Sequence, residues 1–548
     1  MLRKLLLFQL ILMTFASCRN AKTSVDLIVT NAVIYTADSA FSIYSAMAVA
    51  DGKILEVGDN DEIQSRYSAD SLLDAGGKAI YPGFIDPHSH FYGLALLARY
   101  ADLSGAHSFD DILEILSERQ KSQPSEWITG RGWDQNNWPG QQFPDNKKLN
   151  ELFPENPVVL IRVDGHAVLV NEAAIALSGL TADSIKNKKE AIMRNGLFTG
   201  VFLESMADRF RNLIPEPKGN ELFSLIENSA NQCFAVGLTM VTDAGIDARL
   251  IDYYDSLQSE DQLKMAIYAM INPSEENIDR FLRKGVFLKP KLSVRSIKLY
   301  ADGALGSRGA CLLKPYSDAP GEYGILTITP EDLGRYCVLA YDNGYQVNTH
   351  AIGDSAVRTA LKVYSNYLLP GNDLRWRIEH AQVVHPDDFR LFGEFSIVPS
   401  VQATHATSDM RWAKNRLGDH RIRNAYALKT LMQQNGWIPN GTDFPIENIS
   451  PIYTFYASVA RKDLKGYPKG GFQKENALTR QEALRSITRW AAMSCFEEQR
   501  RGSIEPGLNA DFVMLDKDIM QVPEREIPHA RVLLTVIDGK AVYTAGQD

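Results

Sequence analysis

The sequence predicts an α/β chain built round an eight-stranded parallel (β/α)8 barrel, on three observations. Short apolar runs alternate with helix-patterned segments through the middle of the chain, β-rich stretches flank that middle on both sides, and chemically distinctive residues close several of the apolar runs. The C-terminal end of parallel barrel strands is where functional side chains converge.

In chain order, the stretches Asp26 to Thr36, Ser45 to Val57 and Ser71 to Ile80 read as strands, with Asp51-Gly52 and Gly76-Gly77 as turn signals. Asp511 to Leu515 and Val532 to Tyr543 match them at the far end, the second turning at Asp538-Gly539. The simplest assembly is a small β-sandwich domain from residues 24–80 and 502–548, with the catalytic part, 81–501, inserted between its halves. The barrel strands are expected at Phe84 to His88, Gly237 to Asp243, Lys264 to Ile271, Ser296 to Tyr300, Tyr345 to Thr349, Arg375 to Glu379, Ser396 to Gln402 and Trp437 to Gly441. The first two lie about 150 residues apart where roughly 30 serve one βαβ unit. Residues 95–230 are therefore expected to form a large insertion, a lid or subdomain, after the first strand. No repeat of solenoid length and no low-complexity tract interrupts the pattern.

At 548 residues the chain exceeds one domain of ordinary size, and 45% hydrophobic with 23% charged residues is the balance of a globular protein. A formal net charge of −9 argues against general nucleic-acid binding. Arg3 and Lys4 precede the apolar run Leu5 to Phe15, too short to span a membrane as a mature helix. The run ends in Phe15-Ala16-Ser17-Cys18, which resembles the bacterial lipobox. The resemblance implies a lipoprotein signal peptide over 1–18, a lipidated Cys18 and a lipid-anchored, periplasm-facing place in the cell envelope. An ordinary cleaved signal peptide is the alternative. Cys233, Cys311, Cys337 and Cys495 are scattered without CxxC spacing, which favours buried free thiols over a disulfide framework.

His88 and His90 stand two apart at the end of an apolar strand, so both imidazoles face one side and suit one ion. Lys298 in SIKLYADG, His350 in QVNTHAIGD, His380 in WRIEHAQ and Asp443 in WIPNGTDFP follow at the ends of later runs. One histidine means little. Four of the ten in the chain falling at strand ends means more. Imidazole and carboxylate suit Zn²⁺, and also Fe²⁺ or Mn²⁺. Lysine is a poor ligand as an ammonium. It becomes useful beside metal ions as a CO2-derived carbamate, or it stays an amine and pairs with Asp302 or another carboxylate.

The order HxH, Lys, His, His, Asp resembles the metal-dependent amidohydrolase superfamily. The segments PGFIDPHSH, KLYADGALGSRGA, THAIGD, RIEHAQ and NGTDFP look like the N-substituted formamide deformylase-like branch, amidohydrolase family 3, over nearly the whole mature chain. The resemblance implies a distorted barrel with one or two divalent ions, Zn²⁺ first. His88, His90 and Asp443 would hold the more buried ion, His350 and His380 a second, and carbamylated Lys298 would bridge them. A one-metal site is the alternative. Metal-activated hydroxide would cleave a C–N bond of a non-peptide amide, an N-formyl or N-acyl group or a cyclic amide, with Asp443 moving the proton.

Further substrate contacts are expected at His166, Glu204, Arg308, His405 and Trp133, with Trp138 beside it. Each has a plainer reading: a turn histidine, a helix-start glutamate, an arginine neutralising Asp302, a loop histidine and packing tryptophans. The expected partners are a small-molecule amide and the membrane through the lipid anchor alone, with no nucleic acid and a homodimer left open. A deaminase on the same barrel and a non-catalytic envelope binding lipoprotein are the rival functions.

Overall fold

The structure, a computed structural model, describes residues 22–546 except 136, 137, 164, 166, 187 and 189, and the side chains of Glu204 and Ser205 also lie outside the description. Among the described residues no helix is long and apolar enough to cross a membrane. The chain divides into two compact units, one formed by the residues up to Phe91 together with Ser229–Asp548, the other by Tyr92–Asn228.

In the first unit seven parallel strands lie side by side in sequence order: Phe84–Ser89, Leu238–Ile246, Ala266–Ile271, Leu292–Tyr300, Gln346–Ala351, Arg377–His380 and Val398–Ser400. They form a nearly closed barrel whose strands are buried along almost their whole length. That accounts for their near-continuous apolar runs, since helices cover the outer face. Two of these helices begin at side-chain caps. Asp247 accepts from Leu250 N ahead of Ala248–Ser259, and Thr329 accepts from Asp332 N ahead of Pro330–Asp342.

The expected eighth strand, Trp437 to Gly441, does not form. Only Asn440 pairs, in a single parallel bridge with Val401. Pro439 lacks an N–H, and the Thr442 N–H goes to the Asp86 carboxylate instead of a neighbouring strand. The segment still fills the gap, because Asp443 N donates to His88 O and His90 N donates to Phe444 O, both at 2.8 Å. The sixth strand also starts later than expected. Arg375 has φ +52°, outside strand geometry, and Trp376 only leads in.

Two further sheets use both ends of the chain. One runs in the order Lys53–Gly58, Ala46–Ala50, Thr23–Thr30, Tyr67–Asp74. The other runs Lys540–Thr544, Val532–Ile537, Phe512–Leu515, Ala79–Pro82, Val33–Tyr35, Ile43–Tyr44. Leu27, Val29, Met47 and Ile54 from the first share one core with Ile34, Ile80, Phe512 and Val536 from the second. Asp51-Gly52 and Asp538-Gly539 make two-residue hairpin turns with positive φ at both positions. The stretch expected as one strand from Ser71 is split: Tyr67–Asp74 follows an unforeseen helix, Asn60–Arg66, and Ala79–Pro82 joins the other sheet.

The second unit has its own six-stranded sheet, ordered Ala191–Arg194, Leu197–Leu203, Ala167–Val170, Val158–Arg162, Ile128–Trp133, Ala101–Asp102. Its core contains Leu103, Ile112, Leu116, Trp133, Leu149 and Leu160. Of the cysteines, Cys233, Cys337 and Cys495 are buried and Cys311 is half-buried, all four as free thiols.

Candidate metal centre

Three strand ends and one loop bring His88, His90, Lys298, His380 and Asp443 together. His88 Nε2 lies 3.5 Å and His90 Nε2 3.3 Å from the same oxygen, Asp443 Oδ1. Lys298 Nζ is 3.3 Å from His88 Nε2. The His380 ring centroid is 4.9 Å from that of His88 and 4.5 Å from that of His350. His350 turns Nε2 toward Asp302 Oδ1 at 3.7 Å, too long for a hydrogen bond.

The tautomers follow from the partners. Glu379 and the Ala244 carbonyl only accept, so His88 Nδ1 donates to Glu379 Oε2 and His90 Nδ1 to Ala244 O at 3.2 Å. His380 Nδ1 likewise donates to Gln402 Oε1 at 2.7 Å. The Nε2 atoms of His88 and His90 therefore keep their lone pairs, and these converge on Asp443 Oδ1, itself buried without a hydrogen-bond partner. Two imidazole lone pairs 3.5 and 3.3 Å from one carboxylate oxygen make a site that suits a cation, with the Lys298 ammonium on the His88 side. The donor atoms of His88, His90 and Asp443 all lie within 4.8 Å of one another, a span a single divalent ion covers, so the residues fit a metal.

Electrostatics agree with that reading. Burial and the nearby Lys298 ammonium push His88 down to about 4, and burial with Lys298 pushes His350 down to about 3. His380 is held well below the ordinary value by burial and by His350. These imidazoles are neutral at pH 7, as ligands must be. Burial lowers the Lys298 amine to about 8. Burial pushes the Asp443 carboxyl up, but the His405 N–H against its other oxygen prevails and holds it ionised, well below the carboxylate range.

His405, expected to reach the strand ends from the segment after the seventh strand, stands beside Asp443. Its Nε2 lies 3.4 Å from Asp443 Oδ2 and its Nδ1 donates to Glu447 Oε1 at 3.1 Å. Burial would lower it, but the two carboxylates prevail and raise it to about 10. Its donor atom is also within 4.8 Å of those of His380 and Asp443. A ring protonated on both nitrogens has no lone pair, so His405 is better described as the cation that holds Asp443 in place.

The backbone is special here. His380 (φ +72°), Ala381 (φ +41°) and Asp443 (φ +63°) occupy the left-handed region, at a cost of roughly 1–3 kcal/mol each. Gly441 explains the glycine in NGTDFP: a Cβ there would stand 2.7 Å from Asp86 Oδ1, 2.8 Å from His88 O and 2.9 Å from His88 N.

Other residues expected to touch substrate have partners of their own. Arg308 is ion-paired to Asp318 at 3.1 Å, and Asp302 takes backbone N–H bonds from Cys311, Ile352 and Gly353, so the arginine does not neutralise it. Trp133 is fully buried in the core of the second unit, its indole N–H donating to Leu160 O at 2.9 Å, and Trp138 packs beside it and donates to Ala106 O. Both are packing residues with no open face. Glu204 begins the helix Glu204–Arg211, but its side chain is outside the described residues, as are His166 and Cys18 with the rest of residues 1–21. Sequence reasoning missed Glu379, Arg377, Gln402 and Glu447. Arg377 and Glu379 alternate in WRIEHAQ, a strand-period pair of opposite charges in an apolar run, and that signal was available.

A barrel of this topology with convergent imidazoles and a carboxylate at its strand ends is a metal-dependent hydrolase architecture. The chain belongs to the Amidohydrolase family, whose family model matches residues 71–543. It is 30% identical over 541 residues to Protein LONG AFTER FAR-RED 3 of Arabidopsis thaliana, covering 94% of this chain and 91% of that one. It is 25% identical over 543 residues to N-substituted formamide deformylase of Arthrobacter pascens, covering 94% and 98%. An uncharacterized metal-dependent hydrolase from Pyrococcus horikoshii OT3 shares the fold at a TM-score of 0.78 and 29% identity, over 91% of this chain and 99% of that one.

Proposed function

We propose that this chain hydrolyses the C–N bond of a small non-peptide amide: an N-formyl or N-acyl amine, or a cyclic amide. The observation that carries the reading is the convergence of His88 Nε2, His90 Nε2 and Asp443 Oδ1, with the other Asp443 oxygen clasped by His405. Similarity to the Arthrobacter deformylase supports the C–N class. His88, His90 and Asp443 would hold a divalent ion, Zn²⁺ by donor type, with His350, His380 and Lys298 beside it. When bound, such an ion supplies Lewis acidity to a carbonyl oxygen and to water.

The chain's own residues do the rest. Asp443, held ionised by His405, accepts the proton of the attacking water and returns it to the leaving nitrogen. Glu447 keeps His405 protonated, so Asp443 retains its orientation through the cycle. The Lys298 amine, lowered by burial to about 8, has a free electron pair in a usable fraction at neutral pH. It attacks CO2, forms the N–C bond and releases one proton, which yields the carbamate anion. Outside the described residues, Cys18 carries a lipid that anchors the chain to the envelope.

The test combines metal analysis of the purified protein with hydrolysis of a panel of N-formyl and N-acyl amines, cyclic amides and amino-heterocycles. Release of free amine or ring opening, abolished by chelation, is the expected result. Ammonia from amino-heterocycles alone would replace the reading with a deaminase, and full metal occupancy without turnover would replace it with a binding protein. For the anchor, labelled palmitate should enter the wild type and not Cys18→Ser; equal labelling of both would remove the lipoprotein assignment.

A further inference from the structure

Behind the first candidate ligand lies a chain of fully buried charges that the proposed reaction does not use. His88 Nδ1 donates to Glu379 Oε2, and the other Glu379 oxygen accepts from Arg377 Nε at 2.5 Å. Arg377 Nη2 donates onward to the carbonyl of Pro87, at 2.6 Å, the residue just before His88. The same guanidinium thus grips both the carboxylate that holds the ring and the backbone that carries it. All three side chains are wholly buried.

Burying a carboxylate and a guanidinium is seldom the cheapest way to fill a barrel, since an apolar pair of the same volume usually serves stability as well. The arrangement is also selective. His90 and His380 rest on neutral acceptors, the Ala244 carbonyl and the Gln402 amide. His88 alone of these three rests on an anion. A carboxylate behind a ligating imidazole fixes the tautomer, stops ring rotation and makes the opposite nitrogen a better donor.

We infer that Glu379 and Arg377 are positioning residues that lock His88 with Nε2 toward the cluster and strengthen it as a ligand, making it the anchor of the metal centre. The inference rests on the metal-binding part of the proposed function and not on any substrate. Glu379 contributes the negative charge, and Arg377 orients that carboxylate and ties it to the strand bearing His88.

The experiment is Zn²⁺ affinity of the full chain, measured by competition with a chromophoric chelator, for wild type, Glu379→Gln, Arg377→Lys, His88→Asn and the double variant His88→Asn/Glu379→Gln. Circular dichroism and the unfolding temperature report the fold. Glu379→Gln should bind Zn²⁺ roughly ten- to a hundredfold more weakly, and Arg377→Lys should lose affinity in the same direction by less. In the His88→Asn background the Glu379 change should add nothing, because its route to the metal is already cut. A wild type that binds no Zn²⁺ would defeat the metal reading itself. Wild-type binding with unchanged affinity in Glu379→Gln would overturn this inference alone. So would an equal further loss in the His88→Asn background, or a Glu379→Gln chain that stays unfolded in saturating Zn²⁺, either of which assigns the pair to fold stability.

Discussion

Replacing Asp443 with Asn tests the centre most directly. The side chain keeps its volume and loses its charge. If the amide nitrogen takes the Oδ2 position, it sets a donor against His405 Nε2 at 3.4 Å, and that ring carries its own proton. If it takes the Oδ1 position, its N–H groups face the lone pairs of His88 and His90 at 3.5 and 3.3 Å and occupy them. Each orientation spoils one side of the residue, and neither leaves a base. Proton transfer by a positioned group contributes about 10²–10⁴-fold, or roughly 2.7–5.4 kcal/mol at 1.36 kcal/mol per decade. The expected kcat/KM on the best amide of the panel is therefore at least a hundredfold below wild type, with weaker Zn²⁺ retention and an unchanged circular dichroism spectrum. The assay is initial rate in excess Zn²⁺ with metal content measured on the same sample. A folded, fully metallated Asp443→Asn with more than about a tenth of wild-type kcat would refute the base assignment.

Gly441→Ala should cost about 1–3 kcal/mol and weaken Zn²⁺ binding, because the new methyl meets the His88 backbone at 2.8 and 2.9 Å; unchanged unfolding temperature and affinity would contradict this. Lys298→Met should abolish any dependence of turnover on bicarbonate, and a wild type equally active in CO2-free buffer argues against the carbamate. Trp133→Ala should remove about 3–5 kcal/mol of packing, seen as lost hydrogen-exchange protection over Tyr92–Asn228; a raised KM with protection intact would return Trp133 to the substrate. Stripping metal with a chelator should lower the unfolding temperature, and re-adding Zn²⁺ at 100 times Kd should restore about 2.7 kcal/mol, whereas a melting curve indifferent to Zn²⁺ would mean no ion sits between the three acceptors.

Seven of the eight expected barrel strands form, and the reason is that strands buried on both faces demand near-continuous apolar runs that stand out in a sequence even when short. The eighth was misread because Trp437-Ile438-Pro439 is apolar enough for a strand, while the chemistry that breaks it comes from elsewhere: the Asp86 carboxylate takes the Thr442 N–H. The tryptophans were misread for a related reason. An indole in a Gly-rich stretch looks the same whether it lines a pocket or fills a core, and only the pairing of Ile128–Trp133 with Val158–Arg162 turns Trp133 inward.

What the sequence determined by itself was local and periodic. The HxH spacing, the order of strand-end residues, the Asp-Gly turns and the reach of the two β-rich ends all follow from rules acting over a few residues. What only the tertiary structure decided was which groups answer one another. That Glu379 stands behind His88, 291 positions away, and Glu447 behind His405, 42 away, is decided by barrel register and loop packing. The lone pairs of His88 and His90 point at Asp443 because their other nitrogens are taken, and those partners come from strands and loops far along the chain. Spacing names the candidates for a metal; the hydrogen bonds on their far sides decide which nitrogen is left to bind it.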